Sequence, residues 1–146
     1  MGLLPMEADI LPPYDDRVFK LILTHPEAKQ ALMNLISSII GRTVVDVVLL
    51  PNELAPGDTE EKAERFDVNC KIDDGSQVNM EMQASRMQED MGGQHNNLKG
   101  KSVYYLTDLH SSQPSKGVRR YDRLARTYQI TFCSYTIFPD QPDYVN

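Results

Sequence analysis

Arg65 to Gln83 reads RFDVNCKIDDGSQVNMEMQ, and its alternation decides the fold. Phe66, Val68, Cys70 and Ile72 are apolar, with Arg65, Asp67, Asn69 and Lys71 between them. Val78, Met80 and Met82 repeat the pattern against Asn79, Glu81 and Gln83. A period of two marks two half-buried strands, and Asp73-Asp74-Gly75 between them has the composition of a turn. A two-residue loop at Asp74-Gly75 would set the apolar side chains of one strand against polar ones of the other. A three-residue loop with Gly75 at positive φ pairs Phe66 with Met82, Val68 with Met80 and Cys70 with Val78. A slip of one residue flips every side chain, so the apolar match selects the longer loop.

That register sets Asp67 directly across from Glu81, with Cβ atoms about 4.5–5.5 Å apart. Two unpaired carboxylates so placed repel one another, and a divalent cation between them reverses the sign. Hard oxygen donors suit Mg²⁺ or Mn²⁺. Gln83 follows two residues on, on the same face.

Outward from the hairpin the chain reads as helices and further strands. Leu11-Pro12-Pro13 ends a lead-in, and Asp15 caps a helix with Asp16 in its first turn and Val18, Phe19, Ile22 and Leu23 on its buried side. Asp16 and Lys20, four apart, share a face as an ordinary surface ion pair. His25-Pro26 breaks this helix and Pro26 opens the next, which carries Ala28, Ala31, Leu32, Leu35, Ile36 and Ile39 at helical spacing and stops at Gly41. Thr43 to Leu50 is a β-branched apolar run and reads as a buried strand. Pro51 to Ala63 is an acidic loop. Beyond the hairpin, Arg86 to His110 is a poor helix interrupted by glycines, with a loop near residues 92–97. Tyr128 to Phe138 is a last buried strand.

The 146 residues suit one α/β domain, a mixed sheet flanked by helices. No apolar run reaches membrane-spanning length, and the first residues lack the basic segment of a secretory signal. Cys70 and Cys133 read as buried free thiols of a reducing compartment, and a cytoplasmic location is expected. The net charge of −6 argues against holding nucleic acid by charge alone. Lys116, Arg119, Arg120, Arg123 and Arg126 nevertheless cluster, as a solvated helical face or a phosphate-contacting patch. His25, His95 and His110 lack metal-ligand spacing, and no serine or cysteine sits in a nucleophile motif.

Asp67, thirteen intervening residues and Glu81-Met82-Gln83 resemble the D…(D/E)-x-K signature of the PD-(D/E)XK nuclease superfamily. The wording is most similar to the transposase-associated branch, the Rpn-type recombination-promoting nucleases and transposases, which carry Gln where other members carry Lys. Asp16-Arg17-Val18-Phe19-Lys20 matches the family's D-x-x-F-K. Lys101 to Tyr105 resembles a segment in which a basic residue precedes a Tyr pair, and Gly117 to Tyr121 resembles its G-x-x-Y.

The resemblance implies a restriction-endonuclease-like αβββαβ core over residues 14–139, between a flexible lead-in (1–13) and a tail (140–146). It implies that the family's C-terminal helical region is lacking. It implies a Mg²⁺- or Mn²⁺-dependent DNA endonuclease with Asp67, Glu81 and the Met82 carbonyl on the metal. Gln83 would orient the water. Asp16 becomes a third acidic candidate and Lys20 a phosphate contact; Lys20 or Lys71 would compensate for the charge that Gln83 lacks, with Lys71 better read as a solvated residue. DNA is the expected partner, and a homodimer is compatible with this reading. The alternatives are a degenerate nuclease fold serving as an interaction module, or a domain whose Asp67 and Glu81 simply face solvent.

Overall fold

The computed structural model describes residues 11–50, 68–85, 87, 96–113, 120–138 and 140. Three α-helices and four strands run in the order α1 (Asp16–Thr24), α2 (Lys29–Ile40), β1 (Val47–Leu49), β2 (Val68–Ile72), β3 (Gln77–Gln83), α3 (Asn96–Ser111) and β4 (Thr127–Cys133). The strands form one sheet in the order β1-β2-β3-β4. β1, β2 and β3 are antiparallel neighbours, while β4 joins β3 in parallel. A parallel neighbour requires a crossover, and α3 is its helix. This is the mixed, helix-flanked α/β sheet that the alternation predicts.

The hairpin keeps the expected register. Val68 faces Met80 and Cys70 faces Val78. The loop closes through Ile72 N–H to the Ser76 carbonyl (3.0 Å) and Gly75 N–H to the Ile72 carbonyl (2.9 Å). Gly75 adopts φ 85°, where a side chain would strain the backbone. Asp74 accepts from the Ser76 N–H, and Arg42 reaches both Asp73 and Asp74 at 3.0–3.1 Å, tying the turn to the end of α2.

α1 starts where its cap predicts. The Asp15 carboxylate accepts from the Arg17 and Val18 N–H groups, and the Arg17 guanidinium beside it holds its carboxyl below the usual range. A 3₁₀ turn at Pro26–Ala28 leads into α2, and Gly41 ends α2 at φ 73°. Phe19 and Leu23 of α1 and Leu32 and Ile36 of α2 pack on Val68, Cys70, Ile72, Val78 and Met80 of the sheet. Phe19 also meets the Phe132 ring of β4 at 5.5 Å. The core therefore lies on one face of the sheet.

Several expectations are corrected. Ile22 and Ile39 are exposed rather than buried, because each helix rests on the sheet by a narrower stripe than its apolar residues outline. The run from Thr43 condenses to the short β1, whose Val48 and Leu49 are exposed; β1 borders only β2, so it is an edge strand. The last strand stops at Cys133, not Phe138, where its ladder to β3 ends. Arg120 and Arg123 sit on or beside a 3₁₀ turn, Tyr121–Arg123, and Arg126 in extended chain, so they form no helical face; Lys116 and Arg119 lie outside the described residues. Asp16 and Lys20 are exposed and make no ion pair with each other among the described contacts. Asp15 and Arg17 pair instead. Cys70 is buried but Cys133 only half-buried.

Candidate active site

The second face of the sheet differs from the first. Gln77, Asn79, Glu81 and Gln83 of β3 stand beside Thr127, Gln129, Thr131 and Cys133 of β4, residue for residue in the parallel ladder. Alternation alone reads such a row as solvent-facing. Here α3 crosses over it, burying its own Leu98 and Leu109 and packing on β4. Asn79 is fully buried and Glu81 is 7% exposed, so Glu81 is not a solvent-facing strand residue. The polar row has become an interior layer between sheet and helix.

Groups in such a layer need partners. Asn79 donates through Nδ2 to Gln129 Oε1 at 2.7 Å. Gln129 Nε2 reaches Thr131 Oγ1 at 3.4 Å, and Thr131 Oγ1 meets Ser102 Oγ of α3 at 3.5 Å. This chain of contacts runs from β3 through β4 to the helix and sets where α3 sits. Asn79 Oδ1, Gln77 Oε1 and Asn69 Oδ1 are buried without a hydrogen-bond partner among the described residues.

Lys101, next to Ser102, projects from α3 into the same layer. Its Nζ ion-pairs with Glu81 Oε1 and donates to Gln83 Oε1 at 3.3 Å. The Tyr105 ring, one turn along the helix, lies 5.5 Å from the same ammonium. The Gln83 amide is fixed from its other end, because Nε2 donates to the Ser85 carbonyl at 2.8 Å and leaves Oε1 turned toward Lys101. Oxygens from both ends of Glu81-Met82-Gln83 therefore converge on one cation. Cys133, opposite Gln83 in the ladder, feels both charges: burial raises its thiol pKa, the Tyr135 hydrogen bond lowers it, Glu81 raises it and Lys101 lowers it.

The predicted site residues divide accordingly. Glu81 and Gln83 come together. Asp67 lies outside the described residues, as do the acidic candidates Glu53, Asp58, Glu60, Glu61 and Glu64. Asp16 and Lys20 are exposed on α1, whose Phe19 packs into the apolar core. Lys71 is exposed on β2. Lys101 entered the sequence reading only as the basic residue before the Tyr pair, without a role in the site. Its signal was present: it falls within the stripe Leu98, Tyr105, Leu109 that faces the sheet, where an unpaired lysine would be costly.

The donor chemistry accepts a hard divalent ion. A carboxylate and an amide oxygen already surround a positive nitrogen that stands in for one. Among the described residues no three His, Cys, Asp or Glu side chains gather into a metal cluster, and Glu81 is the only buried carboxylate.

A family model described as PD-(D/E)XK nuclease family transposase matches residues 13–146. Searches of curated proteins and of solved structures returned no match. The chain belongs to the PD-(D/E)XK nuclease family transposases, and its α/β fold is of the restriction-endonuclease type. The family implies a nuclease with a DNA substrate, and members of the superfamily generally use divalent metals. No helix among the described residues is long and apolar enough to cross a membrane. The described residues lend no support to a homodimer.

Proposed function

We propose that this chain is a metal-dependent DNA endonuclease of the transposase-associated, recombination-promoting kind. The observation that carries the proposal is the convergence of Glu81 and Gln83 oxygens on one cation, at the positions that match the (D/E)-x-K part of the signature. The hairpin register, continued by one pair, would bring Asp67 across from Glu81. Asp67, Glu81 and the Met82 carbonyl would hold Mg²⁺ or Mn²⁺. When bound, the ion would activate a water and offset charge on the phosphoryl oxygens.

The chain's own residues supply the rest. Burial fixes the Glu81 carboxylate and strengthens its electrostatic interactions relative to those in water. Gln83, its amide anchored to Ser85, presents an oxygen that can accept a hydrogen bond from the attacking water and orient it. α3 excludes bulk water from the layer beneath it. The exposed Arg123 and Arg126, on the chain entering β4, are available to the DNA backbone, while Arg120 is held by Asp122.

The test is plasmid nicking in Mg²⁺ and in Mn²⁺ by the wild type and by Glu81→Ala prepared identically. Metal-dependent nicking that disappears in the variant supports the proposal. A folded wild type that does not nick, or nicking that survives in Glu81→Ala, removes it.

A second reading is a nuclease fold retained as an interaction module. One observation favours it: Glu81 already has a resident counter-ion and so does not demand a metal. Divalent-ion affinity decides between the two, since only the first reading requires that Glu81 bind one.

A further inference from the structure

Catalysis of phosphodiester hydrolysis gains most from fixed positive charge beside the phosphoryl group. In the D…(D/E)-x-K pattern the last position supplies such a charge. Here that position is Gln83, whose amide carries none. Its oxygen, however, is turned toward an ammonium that arrives from another element. Lys101 reaches Gln83 Oε1 at 3.3 Å and contacts Glu81 Oε1, so it lies within reach of both motif residues.

This placement is built. Tyr105 flanks the ammonium at 5.5 Å, a cation–π contact that holds it without neutralising it. The neighbouring Ser102 meets Thr131 at 3.5 Å, and Thr131 is the residue of β4 directly beside Glu81 in the ladder. The helix is thus registered on the sheet at the residue next to the lysine. The Lys101 side chain is 26% exposed, so its charge is not sealed in; it borders solvent, where a DNA phosphate would approach.

We infer that Lys101 is the catalytic cation of this site, delivering from α3 the positive charge that Gln83 cannot. The inference rests on the nuclease reading of Glu81 and deepens it. It has a consequence that a merely structural lysine lacks. Lys101 Nζ and a divalent ion call on the same Glu81 carboxylate, and two cations on one carboxylate repel each other. The ammonium must therefore draw back from Glu81 toward Gln83 and the phosphate when the metal binds. Removing it should slow cleavage and, at the same time, tighten divalent-ion binding. Loss of a structural lysine would weaken both.

The experiment compares the wild type, Lys101→Met, Gln83→Lys and the double variant Gln83→Lys/Lys101→Met. Each is assayed for plasmid nicking in Mg²⁺, for Mn²⁺ affinity by calorimetry without DNA, and for folding by circular dichroism. Lys101→Met should lose about a hundredfold or more in nicking, the size of effect seen when one fixed electrostatic group is removed. It should bind Mn²⁺ several-fold more tightly. The double variant, with its lysine returned from the strand, should recover at least about tenfold over Lys101→Met.

Nicking by Lys101→Met at the wild-type rate, or Mn²⁺ binding by a folded Lys101→Met no tighter than wild type, overturns the inference. Should Lys101→Met fail to fold, the double variant decides: folded and nicking supports the inference, folded and inactive overturns it. A wild type that nicks through Glu81 and is indifferent to Lys101 leaves the nuclease reading standing and removes this inference alone. A wild type that nicks in neither metal removes both.

Discussion

Replacing Lys101 by Met in the metal-free protein should expose how much the buried pair contributes to the fold. Glu81 would lose its counter-ion while its side chain stays only 9% exposed. Stranding one member of a buried pair typically costs about 3–5 kcal/mol. The lysine end is partly solvated, at 26% exposure, so a lower range of about 2–4 kcal/mol applies here. Protonation sets a ceiling. Neutralising a carboxylate of ordinary pKa about 4.3 costs about 3.7 kcal/mol at pH 7, and the stranded group would take that route before paying more. For 146 residues each kcal/mol moves the midpoint by about 3 °C, so Tm should fall by roughly 6–12 °C.

The assay is calorimetric or urea unfolding in EDTA, as a cycle with Glu81→Gln and the double variant. The double variant should return to within about 1 kcal/mol of the wild type, because a neutral amide no longer needs the ammonium. The pH dependence has a definite sign. In Lys101→Met the folded-state carboxyl takes up its proton more readily than the unfolded one. Its penalty therefore shrinks as pH falls toward about 4.3. A Lys101→Met protein within about 0.5 kcal/mol of wild type, or a cycle that is additive, would refute the claim that the layer is dry enough to make this pair matter.

Gly75→Ala should destabilise by about 1–2 kcal/mol in urea titration, since φ is 85° and nothing lies near the added methyl to compensate or clash. Asp15, Asp46, Asp74 and Asp122 all have carboxyl pKa values below 3.8, each held down first by a side-chain hydrogen bond, from Arg17, Lys29, Ser76 and Arg120 respectively. Their contribution is therefore complete above about pH 4 and lost as pH falls through the depressed folded-state values, which a urea midpoint series from pH 5 to 2 would read as a declining acid limb. Burial pushes the Cys70 thiol up to about 12, against a smaller upward shift at half-buried Cys133. Timed iodoacetamide labelling with peptide mapping should find Cys133 modified first and Cys70 only on unfolding. Equal rates would contradict the packing of β2.

The hairpin was legible because its information is local. Period-two alternation and one glycine specify a register that no distant residue has to supply, and Val68–Met80 and Cys70–Val78 follow from it. The caps at Asp15 and Gly41 were legible for the same reason. The role of Lys101 was not, since it stands twenty positions beyond Glu81 on a helix whose Gly100 blurs its stripe. What joins them is a crossover, and no local pattern encodes how a helix lies across a sheet. The same ignorance misled the reading of the polar face. Alternation tells which side chains share a side, while only packing tells whether that side meets water. Ile22, Ile39, Val48 and Leu49 erred in the opposite sense, apolar by type yet exposed among the described residues.

The parallel pairing of β3 with β4 also orders events in time. β2 and β3 close across a short turn, a microsecond process for hairpins. Gln77 and Thr127, by contrast, become neighbours only after a loop of about fifty residues has been gathered in, a slow, entropically costly encounter. A nascent chain thus displays its carboxylate to water long before the helix bearing the lysine settles over it. Docking of the segment through Cys133 beside β3, rather than formation of the hairpin, is the step that brings Lys101 onto Glu81.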